Sequence, residues 1–376
     1  EYWFPEQLNT DIIIGDNSGE NGSALKGVGR SYLTEIKLFE EVKNREFDRL
    51  SIEYAPRANT KDSSFWAQYR VEPLTTRGME TYEYLDSIGE EAKLDRAMNA
   101  FAALTTGKIP VKWIDIDVNR FADFNLFESL RLGFGAHTNK NFSRWLKIGG
   151  YAAYGFRDKG KVKYGGDATI FITKRNELAF NIEASRDVME SGSTQFYLDS
   201  NPLSSERLRR FMISNMDRVT NFEGGFSFYF LKYLDAKITF SQHTKTATST
   251  YEFVPDIADP ASSINEFKFA EARIKLKYSF REKYIEVLGN KVSLGTKYPV
   301  IWVNYTRGFD DIAGGQFDYH KVDLKVQKSF VIRGFGEPSF VVKAGYTMGD
   351  LPYTNLYNGN GSYEMRLPLE AVNSFQ

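Results

Sequence analysis

The 376-residue chain has no cysteine, only three histidines, no excess of charge of one sign, and no long apolar run. Each absence removes a class of protein. Without cysteine there are no disulfide staples, no thiol nucleophile and no cysteine metal site. Lys and Arg total 48 against 49 Asp and Glu, a net charge of −1, so nothing in the balance draws the chain to nucleic acid. No window approaches the ~18 consecutive apolar residues of a transmembrane helix. No signal peptide is visible, and a chain opening on Glu1 is expected to be mature or trimmed. The mean hydropathy of −0.42 argues against a helical membrane protein but not against a barrel. In a barrel only alternate residues meet lipid, so the average stays that of a soluble protein.

What the chain has in plenty is aromatic residues, 15 % of the total, and period-2 alternation. In Arg144–Lys174 the set Leu146, Ile148, Gly150, Ala152, Tyr154 and Phe156 alternates with Lys147, Gly149, Tyr151, Ala153, Gly155 and Arg157. After a polar turn at Asp158–Gly160, Val162, Tyr164, Gly166, Ala168, Ile170 and Ile172 alternate with Lys163, Gly165, Asp167, Thr169 and Thr173. Two alternating arms of about a dozen residues joined by a short turn predict an antiparallel hairpin. Ordinary strands run about five or six residues, and strands twice that length suit a membrane-spanning barrel.

The pattern repeats. Strands are expected near 108–118, 124–137, 143–157, 160–174, 177–188, 219–233, 235–248, 266–281, 297–308, 317–331 and 339–348, with a twelfth after 361. Long cations recur on the polar side, where lipid exposure near mid-membrane costs about 2–4 kcal/mol each. The polar side is therefore expected to face a lumen, with Arg131, Lys147, Lys163, Asp167, Glu271, Arg273, Lys275, Lys277, Asp323 and Lys343 as its charged members. These cations are expected to pair with Asp167, Glu183, Glu223, Glu271 and Asp323 across a filled lumen rather than to tune an anion pore. Short turns (138–142, 175–176, 234–235, 334–338) alternate with longer polar connections (189–218, 249–265, 309–316, 349–360). Segments 282–296 and 158–159 are the exceptions. Outer-membrane barrels have short periplasmic turns and long outer loops, which puts both ends of the barrel segment in the periplasm.

Before residue 108 the reading changes. Gly15–Gly29 reads as a loop and Ser31–Phe39 as a strand. Met79, Tyr82, Leu85 and Ile88, then Leu94, Met98, Phe101 and Leu104, recur at helical spacing. This predicts an amphipathic helix over 76–106, broken near Gly89 and packed on a neighbouring surface. Domains are thus expected at 1–107, a pre-barrel periplasmic or plug segment, and at 108–376, the barrel.

Chemistry-bearing residues are sparse. His137, His243 and His320 lie near strand ends and read as polar surface residues. Ser241, two residues from His243, falls on the same strand face, a nucleophile–base pairing that is common by chance. Asp310–Asp311 and Glu90–Glu91 lack metal-ligand spacing and read as solvated charges. Gly149–Gly150, Gly165–Gly166 and Gly224–Gly225 lie inside strands, where no phosphate cradle forms. Arg333-Gly334-Phe335 is similar to the Arg-Gly-aromatic motif of assembly barrels but falls in a short turn. No catalytic residue, cofactor or metal is expected.

Several short motifs occur in one order: Tyr2-Trp3-Phe4-Pro5, Phe65-Trp66 with Arg70 and Pro73-Leu74, Tyr84-Leu85-Asp86-Ser87-Ile88-Gly89, and Glu128 with Arg131-Leu132-Gly133 and Thr138. Gly150-Tyr151 with Tyr154-Gly155-Phe156 and Asp158, then Leu351-Pro352-Tyr353, Leu356 and Gly359-Asn360, complete the series. In these the chain resembles a Bacteroidota family of uncharacterised outer-membrane proteins. Members carry an N-terminal carboxypeptidase-regulatory-like domain and a barrel distantly similar to the surface-antigen and outer-membrane-assembly barrels. No upstream domain is visible here. The family also continues past the Leu-Pro-Tyr loop, so a further strand pair is expected beyond Gln376, Ser374-Phe375-Gln376 being a poor terminal strand. The resemblance implies an integral, non-enzymatic outer-membrane barrel protein of a Gram-negative cell envelope. It would act in transport across, or assembly or export at, that membrane, as a subunit of a complex. Its expected partners are outer-membrane lipid or lipopolysaccharide and other envelope proteins. The alternative is a barrel enzyme acting on lipid or peptide at the cell surface.

Overall fold

In the computed structural model the alternating segments pair edge to edge almost wholly in sequence order. The structure describes residues 5–14, 25–34, 36–37, 50–52, 62–73, 75–91, 103, 106–158, 162–173, 177–199, 210–248, 251–255, 262–287, 290–330, 332–334, 336 and 338–358. The chain divides into two compact units, Glu1–Asp48 with Tyr54–Ala92, and Arg49–Glu53 with Lys93–Gln376.

The first unit holds an antiparallel hairpin of β1 (Gln7–Ile14) and β2 (Leu25–Tyr32), paired from Gln7↔Tyr32 to Ile14↔Leu25. This corrects the expected 15–29 loop. Its described part, from Leu25, is strand, because a cross-strand partner fills the ladder and overrides the local glycine content. Of the strand expected over 31–39, only Ser31 and Tyr32 belong to β2. Helix α1 (Ser63–Ala67) is capped by Asp62, whose carboxylate accepts the Phe65 N–H at 2.9 Å. Helix α2 (Thr76–Glu91) is the first half of the expected amphipathic helix, with Met79 and Tyr82 exposed. Leu94, Met98, Phe101 and Leu104 lie outside the described residues, as does the strand expected after 361.

The second unit contains β3 (Leu50–Ile52), β4 (Lys108–Val111), β5 (Ile114–Asp117), β6 (Ala122–Asn125), β7 (Ser129–Thr138), β8 (Leu146–Gly155), β9 (Val162–Phe171) and β10 (Ala179–Glu190). Then follow β11 (Met216–Phe230), β12 (Leu234–Thr246), β13 (Glu266–Ser279), β14 (Tyr284–Val287), β15 (Asn290–Ser293), β16 (Val300–Phe309), β17 (Tyr319–Ser329) and β18 (Ser339–Met348). Thirteen of these form one antiparallel sheet in the order β18-β17-β16-β13-β12-β11-β10-β9-β8-β7-β5-β4, with β6 also on β7. The sheet is not closed: among the described residues β18 pairs only with β17, and β4 only with β5. No described helix is long and apolar enough to cross a membrane.

Three expected elements are rearranged. Segment 108–118 is a tight hairpin, β4–β5, with Lys112 at a positive φ of 49°. Segment 124–137 is β6 turning back onto β7. Asn125 Oδ1 accepts the Glu128 N–H at 2.7 Å, and Ser129 takes a φ of 62°. Short polar side chains that bond the backbone locally make such turns. Segment 282–296, the exception among the short connections, is the β14–β15 hairpin, and β3 lies parallel against β14.

Register carries the alternation across the sheet. One line of paired positions reads Leu146–Ile170–Phe180–Phe226–Ile238–Ile274–Tyr305–Val322–Tyr346, from β8 to β18. A line on the opposite face reads Ser227–Lys237–Lys275–Asn304–Asp323, and another reads Asp167–Glu183–Glu223–Ser241–Glu271. Since a slip of one residue would exchange the two faces of a strand, nine strands in matched register give one mainly apolar and one mainly polar surface. Exposure is inverted relative to a water-soluble sheet. Phe226, Ile238, Ile274 and Val322 keep 40–46 % of their surface, whereas Glu223, Thr239, Ser241, Glu271 and Asp323 keep 7 % or less.

Candidate functional site

The charged face is buried because the sheet curls around it. Arg131 on β7 donates from Nη1 and Nη2 to both carboxylate oxygens of Asp187 on β10, at 2.7 and 2.8 Å. A flat sheet would hold these strands about 14 Å apart. Neighbouring residues Tyr357 and Asn358 reach Asp323 on β17 and Glu190 at the end of β10. Flat spacing would separate those strands by about 24 Å. The polar face is therefore concave, and its side chains meet across it.

Two clusters occupy the concavity. In the first, Asp187 also accepts the Tyr151 hydroxyl at 2.6 Å, and the Arg120 guanidinium lies 3.8 Å from the Tyr151 ring centre. Lys163 sits 2.8 Å from Glu128 and 3.1 Å from Asp158, which also accepts Arg218 at 2.9 Å. Burial alone would raise the Asp158 carboxyl, but the hydrogen bonds from Arg218 and Lys163 prevail and hold it below the usual range. His137 lies between Asp117 and Asp167, at 3.0 and 2.9 Å.

In the second cluster Glu223 receives Lys237 at 2.6 Å and Arg273 at 3.2 Å. Arg273 and Tyr319 both donate to Glu271. Lys277 lies 3.1 Å from Glu282 in the turn after β13. Tyr284 and Ser293 also donate to Glu282, each at 2.5 Å. Burial opposes ionisation of Glu282, and Lys277 with these donors outweighs it, so the carboxyl is held low.

Loops expected on the outside fold into this face. After β18, Leu351 packs among Phe267, Phe269, Phe317 and Tyr319, an aromatic cluster in an otherwise charged surface. Lys245 on β12 donates to Thr354 O at 3.0 Å and Asn355 Oδ1 at 2.8 Å; Lys321 on β17 donates to Asn355 O at 3.1 Å. The Tyr357 hydroxyl donates to Asp323 at 2.6 Å; burial and that carboxylate push its phenol upward. The loop after β10 joins in: Asp199 accepts Lys325 at 2.7 Å, and Gln195 O accepts Asn304 at 3.1 Å.

Of the charged residues expected on the polar side, Arg131, Lys163, Asp167, Glu271, Arg273, Lys277 and Asp323 enter these clusters. Lys147 and Lys275 are half-buried on the same face, and Lys343 is exposed on β18. Several partners differ from those expected. Arg131 takes Asp187, Lys163 takes Glu128 and Asp158, and Lys277 takes Glu282. Glu128, Asp158 and Glu282 stand in turns, where alternation gives no signal. Asp187, two turns of the alternation from Glu183, and Lys321 and Lys325, either side of Asp323, are even-spaced neighbours of the expected set on their strands.

His243 corrects the surface reading. It is 7 % exposed on the concave face; its ring stacks on Phe269 at 4.9 Å, and its Nδ1 lies 3.3 Å from Arg273 Nη2. Ser241 is fully buried, and its Oγ has no protein hydrogen-bond partner among the described residues. Asp310 and Asp311 are exposed, as expected, and the side chains of Glu90 and Glu91 lie outside the described residues. Gly334 turns at a φ of 84° between β17 and β18. No group of described His, Cys, Asp or Glu residues is arranged to hold a metal.

No curated protein matches the chain. Residues 226–348, which span β11's second half to the end of β18 and so include most of the second charged cluster, are similar to a family described as "Family of unknown function (DUF5686) C-terminal domain".

Proposed function

We propose that this sheet is the wall of an outer-membrane β-barrel whose polar concavity is its lumen, in a protein that acts without catalysis in transport across, or assembly or export at, that membrane. The inverted exposure carries the reading: nine registered strands present an unbroken apolar line outward and bury their charges. In water an exposed apolar surface of that extent is costly, at roughly 25 cal/mol per Å². In lipid the same surface is favourable. Its height also fits. From Phe222 to Phe230 the outward positions of β11 span eight residue steps, about 26 Å along the strand, or about 20 Å once tilted. That approaches the apolar band of about 25 Å found in outer-membrane barrels.

On this reading the full protein belongs to the Bacteroidota barrel family that its motifs resemble, and strands beyond β18 complete the closure. The β14–β15 hairpin, at the short-turn end, stands on the periplasmic side and ties β3 there. Outer-membrane lipid or lipopolysaccharide surrounds the wall, and other envelope proteins are its partners. The test is extraction and heat-modifiable mobility. The protein should leave membranes only with detergent and migrate faster unheated than boiled. Release by salt or carbonate alone would overturn the proposal. A surface enzyme acting on lipid or peptide is the competing reading; it would draw on Ser241 and His243.

A further inference from the structure

Resting on the barrel reading, we infer that residues 349–358 are an autoinhibitory strap that seals the lumen from the long-loop end, and that opening the lumen requires the strap to leave the wall. The strap is seated rather than draped. Leu351 and Pro352 are buried in or beside the aromatic cluster, and the Tyr353 N–H donates to the Tyr251 hydroxyl at 2.9 Å. Thr354 O accepts both Lys245 and the Gly192 N–H. Asn355 accepts Lys245 and donates to Tyr319 OH at 3.3 Å. Asn358 donates to Glu190 Oε1 and Ser191 O, at 3.1 and 2.6 Å. One short segment thus holds β10, β12, β13 and β17 together across the concavity.

The wall is shaped to receive it. A Cβ on Gly345 of β18 would stand 2.3 Å from the Tyr357 ring, and one on Gly192 would stand 2.8 Å from Leu356 O. The seat is also reversible in kind. Lys245 and Lys321 meet the strap through neutral carbonyl and amide oxygens, not through carboxylates, so release breaks hydrogen bonds without separating an ion pair. Each strap contact named here lies on the inner face, so its loss leaves the lipid-facing wall untouched.

The test is single-channel conductance in planar phosphatidylcholine bilayers with potassium chloride, using the full chain purified in detergent. Wild type should stay closed for most of the record. N355A/Y357F should raise open probability by about tenfold per lost hydrogen bond. Gly345→Ala, whose Cβ would stand 2.3 Å from the Tyr357 ring, should unseat the strap from the wall side and raise open probability likewise. If the double variant fails to fold, Y357F alone should give rarer openings of the same size. Conductance equal in wild type and variants overturns the strap, as does silence of every variant with an intact barrel. Loss of detergent dependence and heat-modifiable mobility in the same preparations overturns the barrel reading instead.

Discussion

Replacing Ile238 with Lys separates the membrane reading from any soluble one. Ile238 is central in the outward line, flanked by Phe226 on β11 and Ile274 on β13, and is 46 % exposed. In a water-soluble sheet a half-exposed Ile→Lys change away from special features shifts stability by about 0.5 kcal/mol or less. At the midplane of a bilayer the same change costs about 2–4 kcal/mol, a factor of about 30 to 700 in the folding equilibrium. The penalty should also depend on depth. Phe230→Lys, at the short-turn end of the outward positions of β11, should add only about 0–1 kcal/mol of charge penalty. The assay is reversible denaturant unfolding of protein folded into phospholipid vesicles, followed by tryptophan fluorescence and by the heat-modifiable gel shift. A cost for Ile238→Lys below about 0.5 kcal/mol, the range of ordinary surface substitutions, or one equal to that of Phe230→Lys, would show that this face does not meet lipid.

Other expectations follow from the charge pairs and from the buried polar residues. Asp187→Asn should destabilise by about 3–5 kcal/mol in the same titration, because it leaves Arg131 half-buried without its bidentate partner. Arg30→Ala, at the exposed 3.6 Å pair with Asp11, should change stability by about 1 kcal/mol or less. Asp158, in the turn after β8, has a depressed pKa when folded. Its contribution is therefore present above the unfolded carboxyl value and is lost as pH falls through the lower folded one. Asp158→Asn should flatten the acid limb of the stability profile below about pH 4 and leave its slope near neutrality unchanged. S241A and H243A should leave any lipid- or peptide-hydrolysing activity of purified protein unchanged; loss of such activity in both would favour the enzyme reading.

Much of the wall was legible in the chain. Period 2 is a local property, so Leu146 to Phe156, Phe222 to Phe230 and Ala270 to Tyr278 revealed their strands, their two faces and the sign of each face without any partner. The charged positions followed too, since Glu271, Arg273, Lys275 and Lys277 can lie only on one side of β13. Turns were less legible. Asn125 and Ser129 reverse the chain through one side-chain hydrogen bond and one left-handed residue, and periodicity does not register either. The β14–β15 hairpin is four-residue strands, too short to alternate visibly.

Tertiary structure alone decided who meets whom. Arg131 and Asp187 are 56 residues apart, and Lys325 and Asp199 are 126 apart. Nothing local selects them, because curvature of a sheet is a sum over many strand pairs. The same holds for the strap. Leu351-Pro352-Tyr353 reads in sequence as the start of an outer loop, and only the curled wall, with Lys245 and Lys321 presenting unfilled donors and Gly345 leaving room for a ring, turns it inward. The sequence by itself determined a two-faced antiparallel wall and which residues are charged on it. The bend of that wall, set by strand-to-strand packing and by ion pairs across the concavity, decided that those charges are buried and that the chain's own loop lies against them.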